Sequence, residues 1–477
     1  MDISPFTELD NASKLRILQD RFRQWTYDRA KPIHRKRSGM SVVAKRCMDA
    51  GTLLTGDDPA AIALDAPHRQ SHCAYCAIDG KKDDGSSSST TFQLCPNCQA
   101  VGCCHNCAKD HEQRHSQEEC EKIQKLGGIE VDPCLLLVIR LLWQADLKIA
   151  YKIPDIKLLY KTDLKEEHEQ ILKVLSSVTG EAEKTRKILS VVLGCGHALV
   201  DVSLPLGQQT IGRALFVQQS FFNHSCAPNA YLSSILPSKR LNGEPRPEWD
   251  PIVSRIHLLR PVQKGEEITI SYIPLSGLSL QERQSKLLTN YGFQCHCSSC
   301  KYPYAMKLPD GADVDSIREI QYECNETLLR FTNKTTLDEE EENELERVIA
   351  TIQMTKRGIT NQGLSERHEV AIEAERLLAL VYLELGKKNE AVKHHKAFSA
   401  RVNLLGELFD PLAKGLHHLE FSRALGSLQG EEESNRGIEI LGACIGNDHP
   451  WLRCLQRSDK EPQAKGNQAP ERKRRRL

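Results

Sequence analysis

Long apolar runs are missing from this sequence. No stretch approaches the roughly 20 consecutive apolar residues that a membrane-spanning helix needs. The first thirty residues also lack the basic start, apolar centre and small-residue cleavage site of a signal peptide. Neither sign of charge is in excess, because 64 lysines and arginines balance 64 aspartates and glutamates. We therefore expect no membrane partner and no overall charge that would favour nucleic acid.

Cysteine, in contrast, is abundant. The chain has 18 cysteines in 477 residues, and twelve of them lie in closely spaced clusters, some with histidines nearby. In a secreted protein such a number would indicate disulfides. Without a signal peptide, the clusters instead indicate zinc sites in a reducing compartment. The length alone suggests about three domains.

The densest cysteine group in the second half predicts a metal site shared by two segments. Cys295, Cys297 and Cys300 supply three thiolates within six residues. A tetrahedral zinc takes four ligands, and Cys226 is the obvious fourth. A zinc closed in this way would hold the cysteine tail beside Asn223 and His224, so that both segments could line one pocket.

Three motifs of the second half occur together in one family. Residues 221–229 contain the pattern NHSCxPN, residues 265–272 read GEExxxSY, and residues 291–300 end in CxCxxC. In this order they resemble the catalytic half of a SET-domain protein lysine methyltransferase, and a chance match to all three is much rarer than to one short motif. The resemblance implies an α+β fold, S-adenosylmethionine as cofactor and a protein lysine as substrate.

The resemblance also implies roles for individual residues. Tyr272 matches the family's catalytic tyrosine, whose hydroxyl would orient the amine and the methyl group. Asn223 and His224 match residues that bind the amino-acid and adenine parts of the cofactor. Phe293 matches an aromatic side chain that packs on the adenine, and Tyr291 lies beside it.

A turn near the N-terminus is the expected site of further cofactor contacts. Residues 37–44 and 49–54 predict a strand, a turn and a strand. In SET proteins the first turn is usually GxG-like, with its backbone against the methionine part of the cofactor. Arg37 stands where the first glycine is often found, Ser38 follows, and Gly39 is kept. A glycine lets the backbone approach a ligand closely, so all three are expected to bind the cofactor.

The segment 72–120 carries eight ligands for two further tetrahedral zinc sites. Its spacing resembles a MYND finger, in which the ligands interleave. The resemblance implies that the first site contains Cys73, Cys76, Cys103 and Cys107, and the second Cys95, Cys98, His115 and Cys120. Cys104 competes with Cys103: Cys103 keeps the spacing to Cys107, whereas Cys104 keeps the longer spacing from Cys98. With the Cys226 site, the chain is expected to bind three zinc ions.

The finger interrupts the SET strands, as in proteins of the SET-and-MYND family. The expected fold is therefore an α+β SET β-fold interrupted by a zinc-binding MYND finger and followed by a tetratricopeptide-like α-helical C-terminal domain. The predicted parts are an N-terminal helical extension at 1–30, a split SET domain with its zinc tail at 31–300, the finger at 72–120, a helical insert at 121–193, helical repeats at 301–457 and a disordered basic tail at 458–477.

Several helices are predicted from apolar periodicity. One amphipathic helix is expected from Ser13 to about Trp25, and one nearly all-apolar buried helix at 135–143. Two more are expected at 165–178 and 181–193, whereas His197 is expected in a loop. Residues 374–398 resemble a tetratricopeptide repeat, with two helices joined at a glycine turn.

Two classes of function remain open at this point. The first is a lysine methyltransferase acting on histone or non-histone proteins. The second is a catalytically weak adaptor that recruits partners, for example proline-rich peptides at the finger. The matches at Asn223, His224, Tyr272 and Phe293 favour the enzyme. The five consecutive cations at 472–476 predict a nuclear-import signal or a weak nucleic-acid contact, and we expect the protein in nucleus and cytoplasm.

Overall fold

The structure, a computed structural model, describes residues 10–35, 39–77, 93–103, 115–147, 159, 164–201, 209–236, 252–301, 308–332, 334, 336–449 and 451–453. Short strands occur between residues 30 and 270, interrupted by a helical, cysteine-rich insert, and helices follow. Among these residues, no helix is both long and apolar enough to cross a membrane.

The N-terminal helix α1 (Asn11–Trp25) covers the first strands of the domain. Asp10 caps it, because the Asp10 carboxylate accepts a hydrogen bond of 2.9 Å from the Ser13 N–H. Leu18 and Phe22 lie four residues apart on its inner face and are buried. The amphipathic pattern of the sequence therefore reflects a helix packed on the domain.

The first hairpin pairs β1 (Ala30–Arg35) with β2 (Gly39–Ala44) in antiparallel register, with Arg35 opposite Gly39. The second strand predicted within 49–54 is present as β3 (Leu53–Asp57), which belongs to another sheet. Strand β3 pairs with β11 (Val253–Leu258), which lies about 200 residues away in the sequence. Local patterning does not reveal such a partner.

The remaining strands form small sheets that bring distant parts of the chain together. One sheet has the order β10 (Ala230–Ile235), β11 and β3, and another has the order β4 (Ala61–Leu64), β8 (Thr210–Leu215), β7 (His197–Val200). Both are antiparallel. His197 is thus the first residue of β7 rather than a loop residue, and burial lowers its pKa to about 4.

The insert between β4 and β7 carries most helices of this half. Its elements are α2 (Ala66–Arg69), β5 (Gln93–Leu94), β6 (Gly102–Cys103), α3 (Gln117–Lys125), α4 (Pro133–Leu147), α5 (Glu166–Thr179) and α6 (Ala182–Cys195). Residues 136–143 of α4 are all buried, because the helix packs between β4 and α6. The helices therefore lie close to the ranges predicted from periodicity.

Most of the described residues after residue 279 are helical. The helices are α7 (Leu280–Tyr291), α8 (Ser298–Lys301), α9 (Val314–Leu329), α10 (Glu339–Asn361), α11 (Glu369–Glu384), α12 (Lys388–Leu405), α13 (Pro411–Leu425) and α14 (Ser427–Ile445). Helix α11 packs on α12, and α13 on α14. Gly386 connects α11 and α12 with φ of 71°, a conformation that favours glycine.

The C-terminal helices contact the strand-rich half at several points. Helix α14 packs on β10 and β11, and Arg255 pairs with Asp448 at 2.8 Å. Ser276 and Phe409 form an isolated β-bridge. The next residue, Asp410, donates its N–H to the Leu275 carbonyl. These contacts hold the helices against the segment that follows Tyr272.

Candidate active site and metal clusters

The site is built where two motif segments run side by side. Strand β9 (Asn223–His224) pairs in parallel with β12 (Thr269–Ile270), and Thr269 faces Asn223. The Ser225 N–H extends the ladder by donating to the Ile270 carbonyl at 2.9 Å. The pairing brings His224 next to Tyr272, which lies two residues beyond the end of β12.

Asn229 connects these segments through buried hydrogen bonds. It is buried, its Oδ1 accepts from the Thr269 N–H at 2.8 Å, and its Nδ2 donates to the Glu267 carbonyl at 2.8 Å. The same amide nitrogen lies 3.2 Å from the Glu266 carboxylate. Asn229, the last residue of the NHSCxPN pattern, thus hydrogen-bonds backbone groups of the GEE segment, residues 265–272. This contact explains why the two sequence patterns occur together.

Asn223 plays a similar part on the other side of β9. Its Nδ2 lies 3.0 Å from the Met40 carbonyl, 3.0 Å from Ser41 Oγ and 2.9 Å from Glu267 Oε1. The other carboxylate oxygen of Glu267 pairs with Arg35 at 2.8 Å. The Asn223 amide therefore donates to protein acceptors and connects β2 with the GEE segment. The motif alone did not predict this structural role.

The expected cofactor turn lies directly before this contact. Gly39 opens β2 with φ of 66°, and a side chain added there would meet no atom within 4 Å. Open space therefore borders the backbone one residue before Met40, which contacts Asn223. Arg37 and Ser38, the other two predicted residues of the turn, lie outside the described residues.

Four rings converge beside β9. The centroid of Tyr272 lies 5.4 Å from that of His224, 5.0 Å from Tyr291 and 6.3 Å from Phe293. His224 and Phe293 are 6.0 Å apart. The structure thus brings all four aromatic residues of the sequence-based prediction into one aromatic cluster, although Tyr291 and Phe293 come from the cysteine tail.

Tyr272 is fixed at three points. Its hydroxyl donates to the Phe222 carbonyl at 2.7 Å, and its backbone N–H donates to His224 Nδ1 at 3.0 Å. Its own carbonyl accepts from the Tyr291 hydroxyl at 3.2 Å. Burial raises the pKa of Tyr272 well above its ordinary value, so the phenol stays protonated. The geometry offers a neutral hydroxyl in a fixed position.

The four cysteines expected to share a metal lie together. The sulfur atoms of Cys226, Cys295, Cys297 and Cys300 are all within 4.8 Å of one another. Cys226 and Cys300 are 3.6 Å apart, close to the edge of about 3.8 Å in a tetrahedron with 2.3 Å metal–sulfur bonds. The Cys226 thiol lowers the pKa of Cys297 to about 5 by hydrogen bonding. This cluster could hold a metal ion.

His224 joins the metal cluster to the aromatic cluster. Its Nδ1 accepts from the Tyr272 N–H, so the neutral ring carries its proton on Nε2. That nitrogen lies 3.3 Å from the Cys226 sulfur. One imidazole therefore contacts both the cluster and the backbone of Tyr272, a link that the sequence did not reveal because it depends on the ring orientation.

A second group of ligands lies in the insert. Cys95, Cys98, His115 and Cys120 are buried, and their ligand atoms lie within 4.8 Å of one another. Cys95 and Cys120 sulfurs are 3.7 Å apart, and the Cys98 sulfur is 3.5 Å from His115 Nε2. This grouping is the interleaved one that the MYND resemblance implied, and it too could hold a metal ion.

The remaining finger ligands are only partly described. Cys73 and Cys103 are buried in one small cluster with Cys76 packed against it. The fourth expected ligand, Cys107, lies outside the described residues, as does the alternative Cys104. Strand β6 carries Cys103 and pairs with β5, which places the two finger halves side by side.

A cavity of about 460 Å³ lies between the segment after Tyr272 and the C-terminal helices. Its apolar lining residues include Pro274, Leu278, Val370, Ile372, Phe398 and Phe409. Its polar side chains are largely paired: Ser276 donates to Glu369 at 2.7 Å, Arg318 donates to Glu369 at 2.5 Å and Arg376 pairs with Glu373. The cavity is large enough for part of a peptide or a small ligand.

A family model for the SET domain matches residues 39–273. The chain is a SET-domain protein. This match covers β2 to Tyr272 and therefore includes both β9 and β12. The arrangement of motif segments described above is thus that of a SET domain.

Individual proteins are also similar to this chain over part of its length. A SET and MYND domain-containing protein of Dictyostelium discoideum is 26% identical over 321 residues, which cover 55% of this chain and 58% of that protein. A histone-lysine N-methyltransferase of Arabidopsis thaliana is 29% identical over 164 residues, which cover 34% of this chain and 42% of that protein. The chain spans about half the length of these relatives. The chain is thus similar to a SET and MYND domain-containing protein over about half of its length.

Proposed function

We propose that this SET-domain protein is an S-adenosylmethionine-dependent protein-lysine N-methyltransferase that acts on histone or other protein lysines. The observation that carries the proposal is the fixed, protonated hydroxyl of Tyr272 in an aromatic cluster with His224 and Phe293. Relatives described as histone-lysine N-methyltransferases support the same reaction. The adaptor alternative has no comparable support in the site.

The reaction makes specific demands on these residues. S-adenosylmethionine would supply a methyl group on a cationic sulfur. The acceptor amine must be neutral to attack, although a free lysine has a pKa near 10.4, and an apolar pocket favours the neutral form. Tyr272 would orient the amine through its hydroxyl, and the surrounding rings would exclude water. Holding the reacting atoms in line supplies much of the rate enhancement.

The described residues fit such a cofactor. A side chain added at Gly39 would meet no atom within 4 Å, so that a ligand could approach its backbone closely. Within our proposal, Arg37, Ser38, Gly39 and Asn223 hold the amino-acid part, whereas His224 and Phe293 hold the adenine. Because Asn223 Nδ2 already contacts three protein acceptors, its contribution to the cofactor would include holding β2 in place.

We also propose that both described ligand clusters hold zinc, and that Cys73, Cys76, Cys103 and Cys107 hold a third ion in a MYND finger. Support comes from the donor sets, because four thiolates or three thiolates with one imidazole are the usual ligands of structural zinc. Sulfur separations of 3.6 and 3.7 Å support tetrahedral coordination. The ions would organise the fold rather than take part in methyl transfer.

The cavity between the segment after Tyr272 and the C-terminal helices would receive the substrate chain. It begins at Pro274, two residues after Tyr272, and is walled by α9, α11 and α12. Its apolar surface could bury a side chain near the target lysine. In this arrangement the helical part of the protein contributes to substrate selection.

A methyl-transfer assay tests the proposal. The zinc-loaded protein is incubated with labelled S-adenosylmethionine and an array of histone and other peptides. The wild type should label lysine-containing peptides, Tyr272→Phe should not, and Tyr27→Phe should behave as the wild type because Tyr27 is 68% exposed. Equal labelling by the wild type and Tyr272→Phe, or none by either, would overturn the proposed activity.

A further inference from the structure

Three buried side chains are linked in series next to the ligand cluster of Cys95, Cys98, His115 and Cys120. His115 Nδ1 lies 2.6 Å from one carboxylate oxygen of Glu119, and Arg140 Nε lies 3.3 Å from the other. The side chains of His115, Glu119 and Arg140 are 2%, 0% and 5% exposed. Because His115 directs Nε2 at Cys98, the ring presents one nitrogen to the ligand cluster and the other to the carboxylate.

Arg140 also contacts parts of the chain that belong to other sites. Its Nη1 donates to the Ile62 carbonyl of β4 at 2.6 Å and to the Ala74 carbonyl at 2.9 Å. Its guanidinium carbon lies 5.6 Å from the centre of the ring of Tyr75. In the sequence, Tyr75 lies between the expected ligands Cys73 and Cys76. One side chain of α4 therefore contacts a SET strand, the Cys73 segment and, through Glu119, the second cluster.

Physical chemistry gives this arrangement a purpose beyond packing. A histidine that binds a metal through one nitrogen usually donates its other N–H to a carboxylate, which fixes the ring orientation and raises its basicity. A buried carboxylate in turn needs a cation and hydrogen bonds, because an unpaired buried charge is strongly unfavourable. Glu119 meets the first need, and Arg140 meets the second.

We propose that Glu119 and Arg140 are positioning residues for the metal cluster of Cys95, Cys98, His115 and Cys120, and that Arg140 couples occupation of this cluster to the order of strand β4. The inference rests on the proposal that the cluster binds zinc. In this proposal Glu119 and Arg140, the latter 20 positions after the last ligand Cys120, help to determine the affinity of the cluster for zinc. The proposal also makes the finger an integral support of the SET sheet.

Metal titration of the full chain tests the positioning role. Zinc affinity is measured in competition with a chromophoric chelator, and Co(II) serves as a spectroscopic probe that distinguishes a three-sulfur, one-nitrogen centre from a four-sulfur centre. Glu119→Gln should weaken this one centre by about 10–100-fold, the usual effect of losing such a partner. The Cys226 cluster should be unaffected and serves as an internal reference.

Arg69 provides a matched control. It is also buried, and its guanidinium donates to the Leu64, Ile129 and Val131 carbonyls without contacting the cluster. Both Arg140→Met and Arg69→Met remove a buried cation, but only Arg140→Met should weaken the metal centre. In the Glu119→Gln background, Arg140→Met should add little, because both residues act through one contact. An unchanged affinity in Glu119→Gln, or equal losses in the two arginine variants, would refute the positioning role.

Hydrogen exchange tests the coupling to the sheet. In the wild type, chelation should speed amide exchange in β4 more than in β10 and β11. Without the metal, His115 no longer holds Glu119 in place, and Glu119 in turn no longer holds Arg140. In Glu119→Gln, which keeps both arginines, chelation should alter β4 much less. Exchange in β4 that responds equally to chelation in both proteins contradicts the coupling. A wild type that shows no Co(II) centre with nitrogen ligation would instead contradict the underlying metal proposal.

Discussion

The amide nitrogen of Asn223 lies 2.9 Å from a carboxylate oxygen of Glu267, and this hydrogen bond joins two segments of the active-site region that are 44 residues apart. Glu267 is also paired with Arg35 at the end of β1. Consequently, the position of the expected cofactor turn depends on the same carboxylate as the position of β9. Loss of the Asn223 amide should therefore affect both stability and cofactor binding.

Asn223→Ala should therefore have two effects. It leaves the Met40 carbonyl and the Glu267 carboxylate without their donor, which should lower the free energy of unfolding by about 1–3 kcal/mol. It should also weaken S-adenosylmethionine binding by roughly tenfold or more, which corresponds to about 1.4 kcal/mol for each factor of ten. Denaturant unfolding and calorimetric titration measure the two effects separately.

Glu267→Gln is the control for that variant. Its amide oxygen can still accept from Asn223, whereas the ion pair with Arg35, which is 42% exposed, contributes little. We expect stability within about 1 kcal/mol of the wild type. If Asn223→Ala bound the cofactor normally while losing stability, Asn223 would be a structural residue only.

Tyr272→Phe should separate catalysis from binding. The substitution removes the hydroxyl that donates to the Phe222 carbonyl but keeps the ring that packs with His224 and Tyr291. Removing a donor that acts in the transition state typically lowers kcat by about 10²–10³-fold. Single-turnover rates should fall accordingly, and calorimetry should show nearly unchanged cofactor affinity.

Tyr291→Phe distinguishes this effect from a general loosening of the aromatic cluster. The Tyr291 hydroxyl donates to the backbone carbonyl of Tyr272, so within our proposal it positions Tyr272 rather than the amine. Its loss should lower kcat less than the loss of the Tyr272 hydroxyl. Equal effects of the two substitutions would indicate that the cluster acts through rigidity and not through the Tyr272 hydroxyl.

Cys295→Ser should weaken cofactor binding as well as metal binding, although Cys295 is not proposed to touch the cofactor. Cys295 lies two residues after Phe293, and its sulfur belongs to the cluster completed by Cys226. Without the metal, the segment bearing Phe293 would have to be reordered on binding, at about 1–2 kcal/mol of entropy per residue. Calorimetry with S-adenosylmethionine and metal analysis on the same sample test this. Normal affinity with a lost ion would contradict it.

The sequence predicted the metal cluster at Cys226 because tetrahedral coordination requires a fourth ligand and few segments could supply it. It predicted the buried helix α4 because an all-apolar run has no solvent-facing side. In contrast, the pairing of β3 with β11 connects residues about 200 positions apart, and no local pattern encodes that partner. The roles of Glu119 and Arg140 were equally hidden, because a charged residue in a helix does not reveal which buried group it faces.

Some expectations stay predictions. The basic tail at 472–476 lies outside the described residues, so the proposed location in nucleus and cytoplasm and any nucleic-acid contact are untested. The same holds for a proline-rich peptide at the finger and for the tetratricopeptide-like character of α11 and α12. The helix boundaries of that pair do agree with the predicted helix, glycine turn and helix.

The freshly purified protein should contain three zinc ions, of which one depends on Cys107. Elemental analysis of unchelated samples should give a ratio near three. The variant Cys107→Ser should lower the ratio by one and leave the two described clusters occupied. Limited chelation should remove finger zinc first, since the sequence places a long serine-rich stretch, 83–91, between Cys76 and Cys95, and a longer loop costs more entropy to close. A ratio of one or none in the wild type would refute the metal assignment.

The last prediction concerns Glu375 of α11, whose carboxylate is 2% exposed and holds three helices together. It contacts Lys356 of α10 at 2.8 Å and His394 and Arg401 of α12 at 2.6 and 2.9 Å. Burial alone would raise the pKa of Glu375, but hydrogen bonds from His394 and Lys356 and the nearby charges of Arg401 and Lys356 lower it to about 2.

A depressed pKa in the folded state stabilises the protein above the ordinary pKa of 4.5 and loses that contribution as the pH falls towards 2. The pH-dependent part is about 3 kcal/mol, at about 1.4 kcal/mol for each unit of pKa. Glu375→Gln should therefore be much less stable than the wild type at pH 7, and the difference should shrink between pH 4.5 and 2. Urea unfolding at several pH values measures it. Glu346→Gln, which breaks an exposed pair with Lys387, should change stability little at any pH. A difference for Glu375→Gln that did not depend on pH would show that the carboxylate is not the stabilising form.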